Sequence, residues 1–232
     1  DVEDGEVDTL SDELELLRSK KGFLEIDMYM LDPKFIEDVR HDTALLQSIH
    51  KNWYSNPIYA DLDPKLDNVV ERIQALLSEN PERKIVIFSI YKDTVDYLYK
   101  EMLDRGFDRV TKYTASEGTD AYKKIIRQNF DASIPDAQQT NDFDVLVATD
   151  ALSEGFNLHR AGIVINYDIP YNPTRVIQRV GRINRINKKV FDFLDIYNCF
   201  PTAIGEEETR VKSISTLKMR LINAVVGSDT KT

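Results

Sequence analysis

At 232 residues the chain is long enough for one large domain, or for one domain with an appendage. Its 42% hydrophobic and 30% charged residues are those of a globular protein, and no run is apolar enough to span a bilayer as a helix. The net charge of −10 speaks against nucleic acid only if it is evenly spread, and it is not: residues 1–83 hold 9 Lys and Arg against 20 Asp and Glu, residues 84–232 hold 21 against 20.

In chain order, the first dozen residues (DVEDGEVDTLSD) are acidic and lack aromatics, the pattern of a weakly ordered lead-in. From Glu13 to Tyr54 apolar residues recur at irregular helical spacing: Leu14 and Leu17, then Phe35, Ile36, Val39, Leu45, Leu46 and Ile49. Trp53, Tyr54 and Tyr59 follow, either as a stacking platform or, as aromatics ahead of a domain usually do, packed onto it. After Asp63-Pro64, the residues Leu66, Val69, Val70, Ile73, Leu76 and Leu77 form the stripe of an amphipathic helix. Beyond Asn80-Pro81 the pattern becomes that of buried strands alternating with helices. Lys84–Ser89, Val110–Tyr113, Phe143–Ala148, Gly162–Tyr167 and Phe191–Tyr197 read as strands. A helix capped by Asp93 runs to about Leu103, a second covers Ala121–Phe130, and the polar stretch Asp131–Asp142 is a loop or an insertion. Glu206–Val226 reads as one closing helix with Val211, Ile214, Leu217, Leu221 and Val225 inward. Strands and helices in this alternation predict an α/β fold with a mainly parallel, doubly wound sheet. The expected segments are 1–62, an acidic helical lead-in; 63–204, the α/β lobe; and 205–232, a bracing helix.

One cysteine, Cys199, excludes an internal disulfide framework, and the three histidines form no ligand pair, so no metal site is expected. Without a visible secretory leader the expected setting is cytoplasmic. Asp1 in place of Met is expected of a piece cut from a longer protein.

The chemistry concentrates after Asn172-Pro173, where Asn suits a cap and Pro the first helical position. At 100° per residue Val176, Ile177, Val180 and Ile183 share an arc of about 120°, the expected buried face. Arg175, Gln178, Arg182 and Arg185 share an arc of about 80° on the other side. Three guanidinium groups on one face repel one another unless an anion sits among them; the alternative is a solvated basic face. The cationic run from Arg175 to Lys189 holds six cations and no acid. Upstream, the strand ending at Ala148 runs into Thr149-Asp150 and a turn containing Glu154 and Gly155, at the sheet edge where open α/β folds bind ligands. Asp150 and Ser153 as helix caps, and Gly155 as a terminator, account for that turn but not for its pairing with the Gln178–Arg185 segment after the next strand.

Taken together, Ala148-Thr-Asp-Ala-Leu-Ser-Glu-Gly-Phe-Asn-Leu158 resembles motif V of superfamily 2 helicases, and Gln178-Arg-Val-Gly-Arg-Ile-Asn-Arg185 resembles their motif VI. Ile85–Ser89 is similar to motif IV and Tyr113–Gly118 to the motif IVa region, while Asp63–Leu66 resembles the lead-in helix of Swi/Snf-like proteins. Gln in place of His at Gln178 favours that branch over the DEAD-box one. The resemblance covers roughly residues 63–201 and implies the second RecA-like lobe of an ATP-dependent nucleic-acid motor, in a three-layer α/β/α fold. It implies arginine fingers at Arg182 and Arg185, supported by Gln178 and Arg179, and Gly155 and Asn157 near the ribose. Ser89, Thr114, Ser116 and Thr149 would touch the nucleic-acid backbone. ATP with Mg²⁺, a first RecA-like lobe in the same parent chain, and nucleic acid (double-stranded DNA favoured, RNA admitted) are the implied cofactors and partners; no membrane is implied. No G-x-x-x-x-G-K-[ST] is present, and the only D-E-x-x string, Asp12–Glu15, follows no apolar strand. The chain alone is therefore expected to bind no nucleotide stably and to hydrolyse none. A noncatalytic nucleic-acid-binding module on the same scaffold is the alternative; a dinucleotide enzyme is disfavoured because no G-x-G-x-x-G follows a strand.

Overall fold

A computed structural model describes residues 26–56, 62–153, 155–183 and 190–226. The lead-in positions Leu14 and Leu17, and with them Tyr59, Glu154 and Arg185, lie outside the described residues. The chain divides into two units, Asp1–Asp63 and Pro64–Thr232, so the closing helices fall in the second. Among the described residues no helix is long and apolar enough to cross a membrane.

In the first unit, helix α1 spans Pro33–Tyr54. Asp32 starts it: its carboxylate accepts from the Lys34 N–H at 2.8 Å, and Pro33 supplies a preset φ and no N–H to satisfy. Phe35, Val39, Leu45, Leu46, Ile49 and Trp53 are each roughly half exposed.

The second unit is built on five parallel strands: β1 Lys84–Phe88, β2 Val110–Tyr113, β3 Val145–Ala148, β4 Ala161–Asn166 and β5 Asp195–Asn198. Their order across the sheet is β2-β3-β1-β4-β5. Every residue of β1, β3 and β4 is buried, because helices cover both faces and leave the strands no polar side. Successive side chains point to opposite faces. Ile85, Ile87, Val145, Val147, Ile163 and Ile165 pack beneath α2 (Pro64–Glu79) and α3 (Lys92–Asp104), which contribute Leu66, Ile73, Leu98 and Met102. Val86, Phe88, Leu146, Ala148 and Val164 face Ile126 and Phe130 of α4 (Asp120–Phe130) and Ile183 of α5 (Pro173–Ile183). Each such aliphatic side chain contributes about 1.5–3 kcal/mol by leaving water. The result is the three-layer α/β/α lobe.

Three local expectations change. Helix α3 begins at Lys92 with Tyr91 at its cap and no side-chain capping bond, so Asp93 sits inside the first turn, where it complements the helix dipole. The last strand is only Asp195–Asn198, an edge strand; Phe193 before it is 80% exposed, and Arg83 pins the approach by donating to the Phe193 carbonyl and the Asp195 carboxylate, each at 2.6 Å. The closing helix is two helices, α6 (Ala203–Thr209) and α7 (Val211–Val226), broken at Arg210 with φ 52°. Glu206 makes the break workable, because its carboxylate accepts from the backbone N–H groups of Lys212 and Ser213 and so caps α7. Leu217, expected inward, is 60% exposed.

Candidate functional site

The carboxyl ends of β1, β3 and β4 meet at one edge of the sheet, followed respectively by Ser89, Thr149-Asp150 and Tyr167-Asp168. Helix α5 arrives there because Asn172 caps it: its side-chain oxygen accepts from the Thr174 N–H at 3.1 Å and its carbonyl from the Arg175 N–H at 3.1 Å. Pro173 at the first position is buried. The buried arc of α5 is Pro173, Val176, Arg179, Val180 and Ile183, with Val176 and Val180 partly covered. It is rotated by about 40° from the arc that apolarity alone predicts. Ile177, expected inside, is 41% exposed, and Arg179 takes the place on the inner face.

Arg179 is the centre of the site. Its side chain is fully buried. Nε donates to Asp150 Oδ1 at 2.6 Å, and Nη1 to Asn166 Oδ1 at 2.8 Å and to the Asp168 carbonyl at 3.3 Å. The Phe88 ring lies 5.0 Å from the guanidinium carbon. Nη2 is buried without a hydrogen bond. A guanidinium removed from water this completely is tolerable only beside a carboxylate and several acceptors. Asp150 also takes Arg175 Nη1 on its second oxygen at 3.3 Å, and Asn166 in turn donates to Asn198 Oδ1 at 2.8 Å. One cation thus joins the turn after β3, the ends of β4 and β5, and α5.

The other predicted residues divide into committed and available groups. Ser89 is buried, and its hydroxyl donates to Asp168 Oδ2; Lys65 bridges to the other oxygen of Asp168 at 3.3 Å while its ammonium sits 3.7 Å over the Tyr167 ring. Thr114 is buried in a capping box, its hydroxyl and N–H both donating to Glu117 Oε2 at 2.6 Å. Burial alone would raise the Glu117 carboxyl, but those bonds and Lys112 hold it below its ordinary value. Ser116 is exposed, with its hydroxyl 2.7 Å from that of Thr114. Thr149 is partly exposed, and its N–H donates to the Tyr113 carbonyl at 3.1 Å, carrying the β2–β3 pairing one step past the strands.

Gly155 has φ +92°, a conformation L side chains rarely adopt, which is why glycine stands at this turn. Leu152, Phe156 and Leu158 bury on either side and anchor it. The Asn157 amide donates to Asp131 Oδ2 at 3.3 Å, beside His159, whose Nδ1 lies 3.5 Å from Asp131 Oδ1. That commitment directs Asn157 to the end of α4, and no described contact joins it to Arg179 or Asp150. Gln178 is exposed and Arg182 partly so; neither side chain bonds a described residue, although the Arg182 carbonyl accepts from the Leu158 N–H at 3.0 Å. Among the described residues no three His, Cys, Asp or Glu side chains could hold a metal ion.

Asn166, Asp168 and Asn198 belong to this site although they lie outside the motif segments that mark the others. Asn166 carried a signal, a lone amide ending an otherwise apolar run; Asp168 and Asn198 did not.

The model of the helicase conserved C-terminal domain matches residues 68–187. The chain is 29% identical over 167 residues to the uncharacterized ATP-dependent helicase YqhH of Bacillus subtilis, covering 70% of this chain and 27% of that protein. It is 26% identical over 162 residues to eukaryotic initiation factor 4A of Cryptosporidium parvum, 69% of this chain and 35% of that protein. The DEAD-box ATP-dependent RNA helicase RhpA of Helicobacter pylori strain B128 is 34% identical over 119 residues, 51% of this chain and 22% of that one. The chain therefore spans about a third or less of these relatives. The fold resembles the crystal structure of the C-terminal part of the Fun30 ATPase domain, with a TM-score of 0.54, 16% identity, and coverage of 77% of this chain and 58% of that one.

Proposed function

The chain belongs to the helicase conserved C-terminal domain family, as the C-terminal lobe of a superfamily 2 helicase, and we propose that it serves an ATP-driven, nucleic-acid-tracking motor of the Swi/Snf-like branch in the cytoplasm. The observation that supports this reading best is the Asp150–Arg179 link. It locks the turn after β3 to helix α5 and leaves the outer side chains of that helix, Gln178 and Arg182, without partners among the described residues.

In this reading Arg182, and Arg185 three residues further along the sequence, meet the negative charge that develops as a phosphoryl group is transferred. A cation in that position contributes on the order of 10³–10⁵ in rate. ATP with Mg²⁺, held by a first lobe of the parent protein, supplies the phosphoryl group. The Arg182 guanidinium, which bonds no described residue, suits an anion. Gln178 supports Arg182 from the exposed face. Arg179 supports Arg182 from behind, by holding helix α5 rather than by touching phosphate. The exposed backbone at Gly155 is the ribose-side contact, and Asn157 joins it only by leaving Asp131. Ser116 and Thr149 offer accessible polar groups to a nucleic-acid backbone, whereas Ser89 and Thr114 shape that edge through Asp168 and Glu117.

Gln178 supports the Swi/Snf-like branch and a double-stranded DNA track. A second reading, RNA as the track, is favoured by the RNA helicase relatives. The test is ATP turnover by the parent protein with duplex DNA and with single-stranded RNA, for the native protein and for Arg182→Ala and Arg185→Ala. A fall of about 10³-fold or more in each variant is expected. Unchanged turnover in both would refute the finger assignment, and stimulation by RNA alone would select the second reading. Nucleic-acid binding without any turnover would select the noncatalytic module.

A further inference from the structure

Lys65 stands in the first turn of α2, a helix whose Leu66, Val69 and Ile73 are sunk in the core, so its start is a fixed post. Its ammonium lies 3.7 Å over the Tyr167 ring and 3.3 Å from Asp168 Oδ1. One side chain thus grips two consecutive residues. Tyr167 still belongs to the sheet, since its N–H donates to the Phe88 carbonyl at 2.9 Å. Asp168 is where the chain leaves the sheet, four residues ahead of the Asn172 cap that starts α5. The other oxygen of its carboxylate takes the Ser89 hydroxyl, and its carbonyl takes Arg179 Nη1 at 3.3 Å. Without Lys65, only the rotatable Ser89 hydroxyl would restrain that carboxylate.

The side chains of Lys65 and Asp168 are 43% and 23% exposed, and an ion pair this open to water adds little to folding stability. What it fixes is direction. The 168–172 loop sets where α5 begins, and α5 carries Arg182. We propose that Lys65 is a positioning residue for the reaction: by clamping Tyr167 and Asp168 it holds the loop that aims the arginine side of α5. The proposal rests on the motor reading given above, with Arg182 acting on the transferred phosphoryl group.

The test measures single-turnover ATP hydrolysis by the parent protein with nucleic acid present. A misplacement of about 1 Å can cost on the order of 10² in rate, and Lys65→Met should lose about tenfold in the hydrolysis rate with KM for ATP unchanged. Lys65→Arg, which keeps a cation able to lie on Tyr167 and reach Asp168, should restore most of that loss. Melting of the 232-residue Lys65→Met chain should stay within about 3 °C of the native chain. In an Arg182→Ala background Lys65→Met should make no further difference, because its effect passes through that arginine. The proposal is overturned if Lys65→Met hydrolyses at the native rate, if its loss reappears in full beside Arg182→Ala, or if Lys65→Arg is as slow as Lys65→Met. A loss that appears only as a raised KM, or only with a large fall in melting temperature, also overturns it. Arg182→Ala without any effect would instead remove the motor reading itself, so the two failures are told apart.

Discussion

Replacing Arg179 with Met removes the one cation that joins α5 to the ends of three strands. The substitution keeps most of the side-chain volume and deletes the bonds to Asp150, Asn166 and the Asp168 carbonyl. Breaking a buried ion pair from one side costs about 3–5 kcal/mol, because the remaining charge loses its partner. Asp150 keeps Arg175 at 3.3 Å, and its side chain is 25% exposed, which moves the expected loss to the lower end, about 3 kcal/mol. For a unit of this size that corresponds to a fall in Tm of roughly 6–12 °C. Urea unfolding followed by far-UV circular dichroism measures the loss. Arg175→Met, which removes a half-exposed partner of the same carboxylate, should cost under about 1 kcal/mol. Arg179→Lys should lose nearly as much as Arg179→Met, since a single ammonium cannot span Asp150 and Asn166 in the manner of Nε and Nη1. In a cycle with Asp150→Asn, the second substitution should cost far less once Arg179 is gone. If Arg179→Met and Arg175→Met destabilise equally, the central role given to the buried guanidinium is wrong.

Burial pushes the Lys84 ammonium from its ordinary 10.5 down to about 8, although its Nζ donates to the Phe143 carbonyl. Between these values the unfolded chain holds a proton that the folded chain has released, so this group makes stability rise with pH across that window; below about pH 8 its full penalty applies. Lys84→Met should therefore stabilise the protein at pH 7 by about 1–2 kcal/mol, a penalty of up to about 3 less the lost bond to Phe143, and the gain should vanish near pH 10. Melting curves at pH 7 and pH 10 check this; a difference that ignores pH would rule out the charge as its origin. At Gly155 a Cβ would meet open space, so Gly155→Ala tests backbone strain alone. It should cost about 1–2 kcal/mol in urea unfolding, and a neutral result would mean that the turn can relax to negative φ.

Which parts of this lobe are readable in one dimension follows from the range of the forces involved. The central strands are legible because burial on both faces leaves β-branched runs such as Ile85–Phe88 and Val145–Ala148 without alternation. The start of α5 is legible because the Asn172-Pro173 cap is satisfied within three residues. Sequence similarity extends that to the motif segments, whose order and spacing survive in the chain regardless of contacts. The rotation of α5 was not legible: apolarity placed Ile177 inside, but a carboxylate 29 residues before Arg179 and an amide on β4 draw the arginine inward instead. The same holds for Asn157, engaged by Asp131 just past the end of α4, and for the helix break at Arg210, which depends on Glu206 reaching the first turn of the next helix. By itself, then, the sequence determined the layers, the strand set and the family, all consequences of local pattern. Tertiary structure alone decided which polar side chains are buried and paired and which stay available, because desolvation is offset only by partners that distant segments bring.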